Sequence, residues 1–114
     1  MKENNNDFSK YIPVKNIGWE EGDDGKVYLL KEKFKNKMMK RMIDISGKGQ
    51  YFRIHLDETG TQVWENINGT NNIRKIGEII KKKRGESFTQ AEKRVEQFVV
   101  LMLKNKFIKL VQEK

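Results

Sequence analysis

The stretch YFRIHLDETGTQVWENINGT, residues 51–70, changes its hydrophobic period with no spacer. In residues 51–57 Phe52, Ile54 and Leu56 alternate with Tyr51, Arg53 and His55. A period of two specifies a strand, with the first set for the core and the second for solvent or a partner. From Glu58 the period becomes helical. Gly60, Val63, Trp64 and Ile67 share one side of a helix over about 58–66, with Asp57 or Thr59 as N-cap. A glycine on the buried side of the first turn allows close backbone approach. The Asn-Gly pair at 68–69 ends the helix.

Two more helices follow. The second spans about 71–84, capped by Thr70, with Ile73, Ile76, Gly77 and Ile80 as its buried stripe. Its closing KKKRG run has a structural reason, because cations suit a helix C-terminus and Gly85 suits the C-terminal cap. Thr89-x-x-Glu92 reads as a capping box for the third helix, which runs to about Lys104. Val95, Phe98, Val99 and Met102 form its core stripe, while Val100, Leu101 and Leu103 spill beyond it. Asn105 or Lys106 ends it, and FIKLV makes a last short strand.

Ahead of residue 51, NIGWEE and KVYLLKEKF flank GDDG, a strong turn composition, so residues 8–34 read as a hairpin with Pro13 ahead of it. Residues 35–50 carry Met38, Met39, Met42 and Ile43 at helical spacing among lysines. A short basic amphipathic helix and an irregular connection ending in SGKG both fit that segment. The expected class is therefore α+β: a small three-stranded antiparallel sheet, three helices and a short C-terminal strand, in a winged helix-turn-helix-like order. Residues 1–7 are a polar tail, and 8–114 form a single domain.

Several kinds of chemistry are excluded. The chain has no cysteine and one histidine. That rules out disulfides, thiolate metal sites and a multi-histidine zinc site, and it suits a cytoplasmic location. His55 and Asp57 share a strand face, but two ligands without a third make a weak metal site. SGKGQ lacks the spacing of a phosphate loop, and WEEGDD lacks that of a calcium loop. No serine-centred nucleophile elbow occurs. The expectation is a binding module without catalytic residues, cofactor or metal. The formal net charge of +8 favours acidic peptides or polyanions as partners, unless the chain is merely lysine-rich.

The segment IHLDETGTQVWENINGTNNIRKIGEII…RVEQFVVLMLKNKFIKL resembles the PqqD family, also called RiPP recognition elements. The matching features are a strand ending in Leu-Asp-x-x-Gly, then Val-Trp, then an Asn-Gly step. Next comes a helix with Ile-Gly-Glu-Ile, and last the F…L…L…FI.L pattern of the final helix and tail. Together these cover residues 51–111. The resemblance implies a non-catalytic peptide chaperone. It would bind the leader of a ribosomally made precursor peptide as an added strand and present it to a modifying enzyme, often a radical S-adenosylmethionine protein. No apolar run approaches the roughly 20 residues of a membrane span, so a membrane is not an expected partner, and a homodimer is compatible with the resemblance.

On that resemblance the peptide-binding residues are Tyr51, Arg53, Ile54 and His55 of the strand. They are joined by Arg94, Gln97, Leu101 and Lys104 on one flank of the third helix. The opposite flank, Lys93, Glu96, Val100 and Leu103, is the competing choice. Replacing Ile54 by proline would test the strand edge if the Ile54 N–H points outward. The rival reading is a winged-helix DNA-binding protein, in which Gln90, Lys93 and Arg94 reach base edges. Glu92 and Glu96 on the same helix would face phosphates unfavourably. An adaptor or dimerisation domain with no peptide client is the second rival.

Overall fold

In the computed structural model, which describes residues 8–32, 51–85 and 87–112, a 3-10 turn at Phe8–Lys10 precedes β1 (Ile12–Lys15), β2 (Gly18–Glu21), β3 (Val27–Glu32) and β4 (Tyr51–His55). Then come α1 (Glu58–Glu65), α2 (Ile73–Arg84), α3 (Phe88–Lys104) and β5 (Ile108–Val111). The protein is thus α+β, with an antiparallel three-stranded sheet, three helices and a C-terminal strand. The expected tail at 1–7 and the methionine-containing segment at 35–50 lie outside the described residues. The chain forms two compact units: Met1–Asn16 with Thr59–Lys114, and Ile17–Glu58.

In the Ile17–Glu58 unit, the GDDG turn closes the β2–β3 hairpin. Gly25 takes φ 77°, its N–H donates to the Gly22 carbonyl, and the Gly22 N–H donates to Lys26. The sheet order is β2-β3-β4, so β4 is an edge. Val27 and Leu29 are fully buried on one face of β3, as alternation requires. Phe52 departs from expectation. It shares the face of Ile54 and Leu56, yet it is 54% exposed, Ile54 is half-buried and Leu56 is buried. Burial therefore grows along β4, and its beginning stands uncovered. Alternation sets a side chain's face but not how far along the strand that face is covered.

In the other unit, α1 buries Gly60, Val63 and Trp64, with Ile67 just beyond its end. Gly69, at φ 86°, turns the chain, and the Asn68 side chain accepts from the Thr70 and Asn71 N–H groups. The N-cap of α2 is Asn72 rather than Thr70: its side chain accepts from the Lys75 N–H at 2.7 Å. Thr70 is drawn into the Asn68 turn instead, where its hydroxyl donates to Asn68. The stripe Ile73, Ile76, Gly77, Ile80 is buried, and Gly85 ends the helix in the left-handed conformation. Gly77 meets α3 closely, since a Cβ there would lie 3.3 Å from the Glu92 Cα. The cap of α3 is Ser87, accepting from the Gln90 N–H, so Thr89 lies inside the helix. Both sites fit a capping pattern, and the helix takes the earlier one. Ala91, Val95, Val99 and Met102 are buried on α3, while Phe98 is half-buried.

Pro13 stands inside β1, which pairs antiparallel with β5. The Asn16 N–H donates to the Phe107 carbonyl, so in this register Pro13 falls opposite Leu110 in a non-hydrogen-bonded pair. Its missing N–H costs the ladder nothing. Beside β1, Lys15 Nζ lies 5.4 Å from the centre of the Trp64 ring. Burial lowers the Lys15 pKa, and the Glu65 carboxylate partly restores it.

Trp64 is wholly buried. Trp64→Ala is expected to lower the unfolding free energy in urea by about 3–5 kcal/mol. A variant of near-native stability would show that this ring is not part of the core.

Candidate functional site

The directions of the β4 backbone groups follow from one hydrogen bond. The Leu56 N–H donates to the Val27 carbonyl at 2.9 Å, and these residues continue the β3–β4 register of Leu29↔Ile54 and Lys31↔Phe52. Hydrogen-bonded and non-hydrogen-bonded pairs alternate along an antiparallel ladder. Ile54 and Phe52 therefore turn their N–H and C=O groups inward, to β3. Tyr51, Arg53 and His55 turn theirs away, toward a border that no described strand occupies. The expectation that Ile54 might donate outward is corrected by this register: the outward donors are its two neighbours and Tyr51.

The side chains of Arg53 and His55 are also placed. Both lie on the sheet face opposite Ile54, and both reach back across the sheet. Arg53 stacks on the Tyr28 ring at 4.3 Å and pairs with Glu20 at 2.7 Å. His55 packs against Tyr28, with ring centroids 4.8 Å apart, and bonds Asp24 at 3.1 Å. Arg53 and Glu20 are about half exposed, so their ion pair is worth roughly 0–1 kcal/mol, and the His55–Asp24 contact is likewise open to solvent. Their main effect is orientation, since they draw two cationic or donor groups away from the border. The Asp24 carboxyl lies below its ordinary range, chiefly because it accepts from the Lys26 N–H, with the His55 hydrogen bond and charge adding to this against slight desolvation.

The third-helix residues sit on the solvent side of α3. Arg94, Gln97, Leu101 and Lys104 are all exposed, Leu101 by 53%. Val100 is exposed by 42%, so the apolar surface of this helix does exceed its core stripe. A cleft of about 350 Å³ lies on the competing flank, lined by Phe8, Lys93, Glu96, Gln97 and Val100. Of the first row, only Gln97 reaches it. Phe8 arrives there because the N-terminal segment is tied to α2: the Ile73 N–H donates to the Tyr11 carbonyl at 3.0 Å.

Sequence reading missed Glu20, Asp24, Tyr28 and Phe8. The carboxylates read as a solvated hairpin tip, and only the register shows that they hold Arg53 and His55. Phe8 carried no signal, being one aromatic residue at the end of a polar tail. Among the described residues no group of three acidic, histidine or cysteine side chains gathers as a metal site, and no helix is long and apolar enough to cross a membrane.

Among the described residues, then, β4 is the edge of its sheet and its outward amides meet no other strand. The model of the family described as coenzyme PQQ synthesis protein D (PqqD) matches residues 42–108, more than half of the chain. The protein belongs to this family, the RiPP recognition elements. Membership associates it with the biosynthesis of ribosomally made peptides, in which the family works with a precursor peptide and a modifying enzyme. No curated protein and no solved structure gives a significant match to the chain.

The Asp24 contacts carry a pH signature. A carboxyl whose pKa is lowered in the fold adds stability above its unfolded value and loses it as the pH falls through the folded one. The urea midpoint of the native protein should therefore exceed that of Asp24→Asn by a small margin at neutral pH. The margin should close as the pH falls below the ordinary carboxylate range, and a constant margin down to strong acid would refute the assignment.

Proposed function

We propose that this protein is a non-catalytic peptide chaperone. It captures the leader of a ribosomally made precursor peptide as an extended strand along β4 and presents it to a modifying enzyme, a radical S-adenosylmethionine protein being one such class. The observation that carries the reading is the direction of the Tyr51, Arg53 and His55 backbone groups, which turn away from β3 on a strand without proline. Main-chain hydrogen bonds to these groups give affinity that tolerates many guest sequences. Side chains then select among guests. Tyr51 and Ile54 offer apolar surface on opposite faces of β4, while Glu20 and Asp24 hold the Arg53 and His55 side chains back and leave their backbone groups to the guest. Arg94, Gln97, Leu101 and Lys104 on α3, with the cleft beside Phe8, belong to the other compact unit and present their own exposed surface there. Family membership supports the precursor peptide as the client.

Proline distinguishes the two backbone directions. Arg53→Pro removes an outward donor and should weaken binding of a synthetic leader, from a precursor encoded beside this protein, by about tenfold or more while the domain stays folded. Arg53→Gln, which keeps the amide, should bind within a few-fold of the native protein. Ile54→Pro instead breaks the β3–β4 ladder and should lower thermal stability. A folded Arg53→Pro variant with native affinity would remove the case for strand addition. Hydrogen exchange gives an independent check: the amides of residues 51, 53 and 55 should gain protection on adding leader. Protection that rises with protein concentration alone would indicate self-association at this border.

A further inference from the structure

We infer that the outward face of α2 is a docking surface for an acidic patch on a partner protein. Twelve residues of α2 carry Arg74, Lys75, Lys81, Lys82, Lys83 and Arg84, every one exposed, against the single carboxylate of Glu78. Six cations less one carboxylate give +5, more than half of the chain's net +8. Six of the chain's 24 basic residues thus gather on the exposed surface of one helix.

The fold does not require it. The helix is held by its buried stripe, by the Asn72 cap, by the Tyr11 carbonyl on the Ile73 N–H and by Gly85 at its end. Cations in the last turn complement the helix dipole, but Arg74 and Lys75 stand in the first turn, where the same dipole opposes them. No acidic residue stands in that turn, and Glu78, one turn on from both, is the helix's single carboxylate among six cations. Among the described residues Arg74, Lys75, Lys82 and Lys83 have no ion-pair partner. A rigid, capped helix that holds unfavourable charge in its first turn presents that charge for an external counterpart.

The chemistry favours a protein over a nucleic acid. The α2 sequence IRKIGEIIKKKR has no aromatic residue on which a base could stack. Glu78, in the middle of the face, would oppose a phosphate backbone, whereas it can pair with a cation set among carboxylates on a protein. The surface belongs to a different helix from α3, so this inference goes beyond peptide capture and does not depend on it.

The test is fluorescence anisotropy of a labelled Glu/Ala peptide and of a labelled duplex DNA, titrated with the full chain across a salt series. Two variants with the same net charge are compared. One is Arg74→Glu/Lys75→Glu/Lys82→Glu/Lys83→Glu on α2, and the other is Lys26→Glu/Lys31→Glu/Lys106→Glu/Lys109→Glu elsewhere. The native protein should bind the acidic peptide, the α2 variant should lose affinity by about tenfold or more, and the control variant should stay within a few-fold. If charge reversal unfolds the α2 variant, the corresponding Gln substitutions replace it, with the same direction expected. Equal losses in the two variants would overturn the inference in favour of net charge alone. Absence of peptide binding by the native protein would overturn it outright. Tighter binding of DNA than of the peptide, lost in the α2 variant and steeply salt-dependent, would overturn it in favour of a nucleic acid.

Discussion

The register between β3 and β4 governs what this protein can offer a partner. One ladder position, Leu56 opposite Val27, determines which backbone groups are consumed inside the sheet and which face outward. A shift by one residue would turn Ile54 and Phe52 outward and send Arg53 and His55 into the ladder. It would also exchange the two faces, exposing Ile54 and Leu56 and burying charge. The buried Val27 and Leu29 on β3 make that shift costly. The hydrophobic pattern therefore fixes more than a core, because through the pleat it fixes the direction of every N–H on the border.

The polar outer face of the same sheet follows from this register. With Glu20 opposite Tyr28, and Leu30 opposite Arg53, the Arg53 guanidinium can cross the Tyr28 ring to reach Glu20. His55 lies directly opposite Tyr28, with Asp24 in the adjoining turn. An exposed edge strand invites unwanted pairing, and charged side chains held close to it are one way to restrain that. The Arg53 and His55 side chains, tied to Glu20 and Asp24, stand on this strand, whose outward amides meet no described strand.

The helical unit distributes its residues differently. Burial of α2 and α3 relies on short apolar stripes and on Gly77, which lets the two helices approach. The remaining surfaces diverge in character. The outer surface of α2 is almost wholly cationic, whereas that of α3 mixes charge with exposed Val100 and Leu101. Neither surface is needed to close the core.

Local sequence was enough for the class of fold, the three helices, most of their buried stripes, the hairpin turn and the family. Each is written in local periodicity or in a residue with few conformational options, such as Gly85 after KKKR. It identified Tyr51, Arg53, Ile54 and His55 as one strand, but it could not say which amides point outward, because that depends on a partner strand distant in the chain. It placed caps at Thr70 and Thr89 where the protein uses Asn72 and Ser87, because neighbouring polar residues offer near-equal capping chemistry and packing selects among them. It assigned Phe52 to the core from its face alone, whereas burial also depends on how far along the edge strand cover extends. The roles of Glu20, Asp24 and Phe8 emerged only with the tertiary structure. Contacts across strands and the grouping of side chains on one face arise from three-dimensional proximity, which linear spacing does not encode.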